Sequence, residues 1–243
     1  MRRNGIHAVI PVKSFASAKL RMSPFLNVME RAQLARLMFE DVLDAVRLSW
    51  ELQGVLVVTH NALAAAIARS VGVQVVDQYG DFGFAAAVSC AVAALPPDAG
   101  MMVVPTDIPH ISPVLIDLIA TLTRAPGVSL IPATSDGGTN LLATRPCGLL
   151  PPLFGPDSFA RHRSAALAAG ITPVIWRSAE AGRDLDRPAD LEAFLALNSA
   201  TRAHCFLTSL DLPGRFEAMR AATREHVHRS KRMLRPEFGE IDA

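Results

Sequence analysis

The chain has 243 residues, of which 50% are hydrophobic and 19% are charged, and its formal net charge is +1. A chain of this length and composition can bury a sizeable core in one large domain or two small ones. The near-zero charge supplies no overall field that would attract nucleic acid or an acidic membrane, so we expect neither as a partner. Three scattered cysteines suggest neither a disulfide framework nor a zinc site.

Short apolar segments rich in β-branched residues alternate with longer segments of helical periodicity. In chain order, the predicted strands are Ile6–Val12, Gly54–Thr59, Val73–Val76, Met101–Pro105, Val128–Pro132, Asn140–Thr144 and Thr172–Trp176. The predicted helices are Met29–Ser49, Ala62–Ser70, Phe84–Leu95, one capped by Ser112 with Pro113 in its first position, Ser158–Ala169 and Pro188–Leu197. Continuous apolar strands that alternate with helices favour a mostly parallel sheet covered on both faces.

One α/β domain is therefore expected over residues 1–200, without an internal repeat or a low-complexity linker. Residues 201–243 are interpreted as a C-terminal extension, because Pro213–Arg235 is rich in Arg, His and Glu and contains few apolar residues. We expect one basic helix there, lying on a partner subunit of a homodimer. No run approaches the roughly 20 apolar residues of a membrane span, and the apolar run near the start is too short for a signal peptide. The expected location is cytoplasmic.

The loop after the first predicted strand is basic. In open α/β sheets, ligands bind beyond the carboxyl ends of the strands. The first strand leads there into V-K-S-F-A-S-A-K-L-R-M, which supplies Lys13, Ser14, Lys19 and Arg21. Cations in this place suit phosphate groups and the charge that develops when a phosphoryl group is transferred. The loop contains no glycine and is not a P-loop, so a solvated basic turn is the alternative interpretation.

Carboxylates follow two other predicted strands. Asp107 lies in P-T-D-I-P, where the prolines stiffen the turn, and Asp184 and Asp186 lie in G-R-D-L-D-R-P-A-D-L. Residues two apart in an extended segment face the same side. Because Mg²⁺ prefers carboxylates, waters and phosphates, these residues form a candidate magnesium site, with a polar loop as the alternative. Asp190 is predicted in the first turn of the next helix.

Two further motifs offer places for an anion. In S-D-G-G-T-N-L-L, two glycines precede Thr139 and could open a backbone nest, although an ordinary turn is equally compatible. In F-G-P-D-S-F-A-R-H, either Asp157 or Ser158 can cap a helix whose N-terminus would hold a phosphate. His162 is expected on the surface of that helix with a structural role. No nucleophile–base arrangement is evident.

These segments, in this order, resemble the 2-phospho-L-lactate guanylyltransferase family of coenzyme F-420 biosynthesis. The matching segments are I-P-V-K-S-F-A-S-A-K-L-R-M, P-T-D-I-P, S-D-G-G-T-N-L-L, F-G-P-D-S-F-A-R-H and D-L-D-R-P-A-D-L, and they span nearly the whole chain up to residue 195. The resemblance implies a nucleotide-diphospho-sugar transferase-like, Rossmann-like fold, a three-layer α/β/α sandwich with a mostly parallel mixed sheet. It also implies transfer of GMP from GTP to 2-phospho-L-lactate, phosphoenolpyruvate or 3-phospho-D-glycerate, with release of pyrophosphate.

The resemblance also implies roles for individual residues. Those matching the nucleotide-binding positions are Lys13, Ser14, Lys19, Arg21 and Thr106. Those matching the Mg²⁺ ligands are Asp107, Asp184 and Asp186, and those matching the acceptor-phosphate site are Thr139, Gly155 and Ser158. Lys13, Lys19, Arg21 and Asp107 are the implied catalytic residues. The predicted mechanism is in-line attack by an acceptor phosphate oxygen, which needs no general base because it is already anionic.

The chain departs from the family pattern at Phe84 and Ala85, which stand where Leu and Asn of a G-L-N turn are usual and which therefore bear on guanine selectivity. The extension after residue 200 is also longer than usual. A transferase of the same fold acting on a molybdopterin or a sugar phosphate is one alternative, but such enzymes open with a glycine-rich L-A-G-G-type loop that is absent here. A non-catalytic nucleotide-binding protein is another, and it would have no need for three carboxylates at strand ends.

Overall fold

A computed structural model describes residues 5–78, 80 and 83–217. Its strands are β1 (Ile6–Val12), β2 (Leu52–Thr59), β3 (Gln74–Asp77), β4 (Gly100–Val103), β5 (Gly127–Pro132), β6 (Thr139–Arg145) and β7 (Val174–Ile175). Its helices are α1 (Val28–Arg47), α2 (Ala62–Ser70), α3 (Gly83–Ala94), α4 (Pro113–Leu122), α5 (Ser158–Ala168), α6 (Pro188–Leu195) and α7 (Arg202–Thr208). All predicted strands and helices within the described residues are present, and their ends lie within two residues of the prediction. The sequence did not predict α7, nor a short 3₁₀ helix over Leu20–Met22.

The strands form one mixed sheet in the order β3-β2-β1-β4-β6-β5-β7. Strand β6 is antiparallel to both of its neighbours, β4 and β5, whereas the other adjacent pairs are parallel. Six strands therefore share one direction, and their carboxyl ends meet at one edge of the sheet. This arrangement confirms the predicted mostly parallel mixed sheet.

Helices cover both faces of the sheet, as the alternation of buried residues along β1 shows. Ile6 and Ile10 pack in the larger core cluster with residues of α1, α2 and α4, whereas Val9 packs on the opposite face against α3. A third cluster lies between α5 and strands β5 and β6. The α/β/α sandwich is thereby confirmed. No helix in the described ranges is both long and apolar enough to cross a membrane.

Side chains fix the starts of two long helices. Asn27 accepts a hydrogen bond from the Glu30 N–H at 3.0 Å, and the Glu30 carboxylate accepts from the Asn27 N–H at 2.8 Å, which completes a capping box for α1. Ser112 accepts from the Leu115 N–H at 3.2 Å and Pro113 occupies the first helical position of α4, as predicted.

Residues 202–217 pack onto α1. Four of their apolar side chains belong to the larger core cluster, namely Ala203, Leu207, Leu212 and Phe216. The first part of the predicted extension therefore contributes to the core of the α/β domain. The rest of the predicted basic helix lies in residues 218–243, outside the described residues, and the division at residue 200 stays a prediction.

Two acidic residues of α1 hold this segment in place. The buried Asp41 carboxylate accepts from the N–H groups of Arg202 and Ala203 at 2.9 and 2.8 Å, at the N-terminus of α7. The Glu30 carboxylate accepts two hydrogen bonds from the Arg215 guanidinium, both at 2.8 Å. A paired carboxylate and the first N–H groups of a helix stabilise each other because the helix dipole is positive there.

We expect Asp41→Ala to lower the free energy of unfolding by about 2 kcal/mol, because it leaves two N–H groups of α7 without their acceptor. Urea unfolding measures the change. The matched control is Asp77→Ala, whose carboxylate forms an exposed pair with Arg69 at 3.6 Å and should change stability by less than about 0.5 kcal/mol. Equal effects of the two substitutions would show that α7 is not held through Asp41.

Candidate active site

The loop after β1 returns to the sheet edge at Lys19. Lys19 has φ 54° and ψ 40°, a left-handed conformation that is uncommon for a residue with a side chain and that occurs at functional sites. The 3₁₀ turn that follows is anchored by the fully buried Met22, whose N–H donates to the Lys19 carbonyl at 2.9 Å. The Lys19 side chain is only 9% exposed, and its Nζ lies 3.2 Å from Asp107 Oδ2 and 3.6 Å from Asp186 Oδ1.

Two acidic segments, distant in sequence, are joined through the backbone. The Leu185 N–H donates to the Asp107 carbonyl at 2.8 Å, so the turn after β4 lies directly against the loop before α6. Ile108 and Leu185 are buried beside this hydrogen bond. The carboxylates of Asp107, Asp184 and Asp186 are therefore brought to the same edge, as the sequence predicted.

The loop before α6 is fixed by residues at the ends of β5 and β6. The Thr134 N–H donates to the Gly182 carbonyl at 2.8 Å, and the Asn140 side-chain amide donates to the Ala181 carbonyl at 3.0 Å. A Cβ at Gly182 would lie 2.4 Å from the Ser178 carbonyl oxygen, so this position requires glycine. The loop is thereby held rigidly against the sheet edge.

The end of this loop enters α6. The Asp190 carboxylate accepts from the N–H groups of Asp186 and Arg187 at 3.1 and 2.6 Å, which confirms its predicted place in the first turn. Asp186 in turn pairs with the exposed Arg21, whose Nη1 lies 2.7 Å from Asp186 Oδ2. Five predicted residues, from three segments of the chain, thus gather at one place: Lys19, Arg21, Asp107, Asp184 and Asp186.

Asp184 is the residue of this cluster that most clearly fits a cation. Its Oδ1 is buried and has no hydrogen-bond partner among the described residues. Burial raises the pKa of the Asp184 carboxyl, and the nearby charges of Asp107 and Asp136 raise it further, while Lys19 opposes them. A cation beside Asp184 would satisfy the buried oxygen and offset these like charges.

The described residues contain no group of three or more His, Cys, Asp and Glu side chains arranged to hold a metal ion. Instead, the Lys19 ammonium lies between Asp107 and Asp186. Asp107 and Asp184 are near enough to interact, and one or two carboxylates suffice for Mg²⁺, because waters and phosphates supply the other ligands. The residues thus fit a magnesium ion. That Asp107, Asp184 and Asp186 together form its ligand set stays a prediction.

The remaining predicted nucleotide-binding residues lie around this cluster. Lys13 is exposed immediately after β1, Ser14 is half-buried beside it, and its carbonyl accepts from the Ser17 hydroxyl at 3.4 Å. Thr106 is half-buried and directly precedes Asp107. These positions are compatible with phosphate binding, and the roles of the three residues stay predictions.

The two predicted anion-binding motifs meet at the N-terminus of α5. The Thr139 N–H donates to Ser158 Oγ at 2.9 Å, and the Phe159 N–H donates to the Gly137 carbonyl at 3.1 Å. Gly155 has φ 117°, a conformation that favours glycine. Asp157 occupies the N-cap position, but its side chain makes no capping hydrogen bond.

The expectation that Asp157 or Ser158 caps α5 through its side chain is therefore wrong, because the Ser158 hydroxyl is bonded to the start of β6 instead. Ser158 is 2% exposed and Thr139 is 8% exposed, so only a small part of each side chain is open to a ligand. The positive end of the α5 dipole still favours an anion at this place.

His162 is fully buried, so the expectation of a surface position is also wrong. Its Nε2 accepts a hydrogen bond from the Leu153 N–H at 3.0 Å, and its Nδ1 lies 3.0 Å from Thr139 Oγ1. Burial lowers the pKa of His162 to about 4, and the charge of Arg161 contributes to the decrease. The imidazole is therefore neutral near pH 7.

A family model described as "Guanylyl transferase CofC like" matches residues 6–230. The chain belongs to this family. It is 37% identical over 187 residues to the phosphoenolpyruvate guanylyltransferase of Roseiflexus castenholzii, covering 76% of this chain and 86% of that relative. It is 33% identical over 188 residues to the 3-phospho-D-glycerate guanylyltransferase of Phenylobacterium zucineum, covering 75% and 86%. This guanylyl transferase is thus a nucleotidyltransferase, as the sequence predicted.

Solved structures confirm the fold class of the guanylyl transferase. A protein described as a nucleotide-diphospho-sugar transferase, from Desulfovibrio desulfuricans G20, superposes with a TM-score of 0.71 at 16% identity and covers 84% of this chain and 94% of its own. A nucleotidyl transferase from Methanothermobacter thermautotroptrophicus superposes with a TM-score of 0.55 at 20% identity and covers 85% and 100%. At these identities the likeness shows the fold alone.

Phe84 and His162 have contacts in the transferase that the sequence did not predict. The Phe84 ring packs on Phe154 with 4.8 Å between centroids, and Phe154 packs on His162 with 4.9 Å. Phe84, where the chain departs from the family pattern, is thus linked through Phe154 to the buried ring of His162. His162 is the last residue of the motif F-G-P-D-S-F-A-R-H, but no local sequence pattern distinguishes a buried from an exposed histidine.

A cavity of about 200 Å³ adjoins Asp184. It is lined mainly by residues of the loops around Pro109 and Leu185, by Phe194 of α6 and by Leu197, which follows α6. Because its walls are largely apolar, it does not suit a triphosphate.

The stability of the transferase should depend on pH through His162. Its pKa is about 4 in the folded state and 6.5 when unfolded, so the unfolded state binds more protons between these values. The stabilisation by the neutral imidazole is complete above pH 6.5 and is lost as the pH falls towards 4, in total about 3 kcal/mol.

Urea unfolding of the wild type and of His162→Gln between pH 7 and 4 measures this contribution. The wild type should lose about 3 kcal/mol more than the variant over that range. The exposed His60 supplies the control, because His60→Gln should retain the full pH dependence of the wild type. Parallel curves for the wild type and His162→Gln would contradict the assignment.

Proposed function

We propose that this guanylyl transferase joins GMP from GTP to a phosphorylated three-carbon acid, with release of pyrophosphate, as a step of coenzyme F-420 biosynthesis. The observation that carries the proposal is the convergence of Lys19, Arg21, Asp107, Asp184 and Asp186 at one edge of the sheet. Relatives named for phosphoenolpyruvate and for 3-phospho-D-glycerate support the substrate class. That class, which includes 2-phospho-L-lactate, combines a phosphate and a carboxylate on three carbons.

In the proposed reaction, an oxygen of the acceptor's phosphate attacks the α-phosphorus of GTP, and the bond to the leaving pyrophosphate breaks in line. The attacking oxygen is already anionic, so no residue has to remove a proton. Lys19 and Arg21 contribute by neutralising the negative charge of the triphosphate and of the departing pyrophosphate. The rest of the catalytic effect comes from holding the two anions in contact.

Mg²⁺ is the proposed cofactor, with Asp107, Asp184 and Asp186 as the residues that would hold it. When bound, it would neutralise triphosphate charge and orient the nucleotide. Asp184 has the strongest electrostatic reason to take part, since its buried oxygen has no partner among the described residues. Asp107 and Asp186 are also paired with Lys19, whose ammonium offsets part of the repulsion between the two carboxylates.

The acceptor's phosphate is assigned to the N-terminus of α5, where Thr139, Gly155 and Ser158 meet. We further propose a homodimer in the cytoplasm. Light scattering after size-exclusion chromatography measures the mass of the particle.

The test of the function is to incubate the protein with Mg²⁺, each of four NTPs and each of the three acids, and to follow pyrophosphate release. Release with GTP and one acid, with a product of the mass of the guanylylated acid, is the expected result. Release without an acid would indicate hydrolysis of GTP rather than transfer. If no pair releases pyrophosphate, the proposed function is wrong.

We expect Asp107→Asn to abolish turnover, a decrease of at least about 10³-fold in kcat, while the fold is retained. The reason is the loss of one of the carboxylates that organise Lys19 and the proposed cation. Asp77→Asn is the control, since Asp77 is an exposed carboxylate of β3 that pairs only weakly with Arg69. Near-normal activity of Asp107→Asn would remove Asp107 from the catalytic residues.

Ser158→Ala should raise the KM of the acid about tenfold while the KM of GTP changes by less than about twofold, because a phosphate contact worth roughly 1 kcal/mol or more is lost. Steady-state kinetics with each substrate varied in turn gives both values. Ser164→Ala on the exposed face of α5 is the matched control. Equal increases in both KM values would place the acceptor's phosphate elsewhere.

A further inference from the structure

The protonation of His162 follows from its neighbours. The Leu153 N–H can only donate, so Nε2 of the neutral ring must be the unprotonated nitrogen that accepts it. The ring proton is then on Nδ1, 3.0 Å from Thr139 Oγ1. Because Nδ1–H donates, Thr139 Oγ1 is the acceptor in this hydrogen bond.

The hydroxyl protons of Thr139 and Ser158 are consequently left to donate. Thr139 Oγ1 accepts from His162, and Ser158 Oγ accepts from the Thr139 N–H at 2.9 Å. Neither hydroxyl donates to another group among the described residues, and both lie at the N-terminus of α5. Two hydroxyl donors at a positive helix end suit a group whose oxygens only accept hydrogen bonds.

We propose that His162 is a positioning residue for the acceptor, which fixes Thr139 as a hydrogen-bond donor to the acceptor's ionised phosphate. This inference rests on the proposed function and adds to it a residue that touches no substrate. The imidazole also receives the Leu153 N–H, and the Phe154 carbonyl next to it accepts from Arg161 at 3.2 Å. The loop 153–155 and the start of β6 are thus tied to one buried ring.

Two substitutions separate the two hydrogen bonds of the ring. The amide of Asn reaches the place of Nδ1, and the amide of Gln reaches the place of Nε2. We therefore expect His162→Gln, which loses the donor to Thr139, to raise the KM of the acid about tenfold. His162→Asn should restore most of the loss, with an increase of about threefold or less. The KM of GTP should change by less than about twofold in both variants.

The opposite order, with His162→Asn more damaging than His162→Gln, would assign the effect to the loop 153–155 and overturn the proposal. Equal changes in the KM of the acid and the KM of GTP would also overturn the proposal, because they indicate a general loosening of the fold. Circular dichroism and thermal unfolding establish that each variant is folded. Ser164→Ala again serves as the control on the same helix.

A double-mutant cycle tests whether His162 acts on the acceptor through Thr139. Thr139→Val removes the hydroxyl without changing the shape of the side chain and should raise the KM of the acid about tenfold. If His162 acts through this hydroxyl, adding His162→Gln to Thr139→Val should cause almost no further increase. Additive effects would show that His162 acts independently of Thr139 and would contradict the proposal.

Should the His162 variants fail to fold, Thr139→Val and Thr139→Ser decide the matter. An unchanged KM of the acid in Thr139→Val would overturn the proposal, whereas a rise that Thr139→Ser largely reverses would support it. If the wild type transfers GMP to none of the acids, the proposed function has failed first. Calorimetric binding of inorganic phosphate to the wild type and to Thr139→Val then tests the donor role alone, and equal affinities would overturn it.

Discussion

The site depends on the Lys19 ammonium group, which lies between the carboxylates of Asp107 and Asp186. Like charges that meet at the edge of a sheet repel each other, and the raised pKa of Asp184 shows that repulsion together with the cost of burial. The Lys19 ammonium lies against Asp107 and Asp186 and offsets part of this repulsion. In the proposed reaction, the same ammonium also neutralises part of the charge of the triphosphate.

The direction of the strands determines which parts of the chain reach that edge. Lys19 and Asp107 follow the carboxyl ends of β1 and β4, as expected for parallel strands. Strand β6 runs in the opposite direction, so its first residue, Thr139, lies at the same edge, next to the last residue of β5. The cluster around Lys19 is thus built from residues that follow strands, whereas Thr139 stands at the start of one. A single reversed strand brings the two together.

Much of this arrangement could be predicted from the sequence, because it is encoded locally. The periodicity of apolar residues located the strands and helices, and the position of Asp107 after a strand indicated its edge of the sheet. The left-handed Lys19, the burial of His162 and the docking of α7 on Asp41 could not be predicted in this way. Each depends on contacts between segments more than 20 residues apart, which no local pattern records.

The left-handed backbone of Lys19 also affects which substitutions the transferase can accept at this position. A left-handed backbone at a residue with a Cβ costs roughly 1–2 kcal/mol, and glycine or asparagine would relieve most of it. Either replacement would remove the ammonium that the carboxylates and the proposed substrate require. Every folded copy carries this strain, whether or not it is turning over. Selection for thermal robustness alone would therefore act against the same side chain that selection for activity retains, so stability and activity conflict at this position.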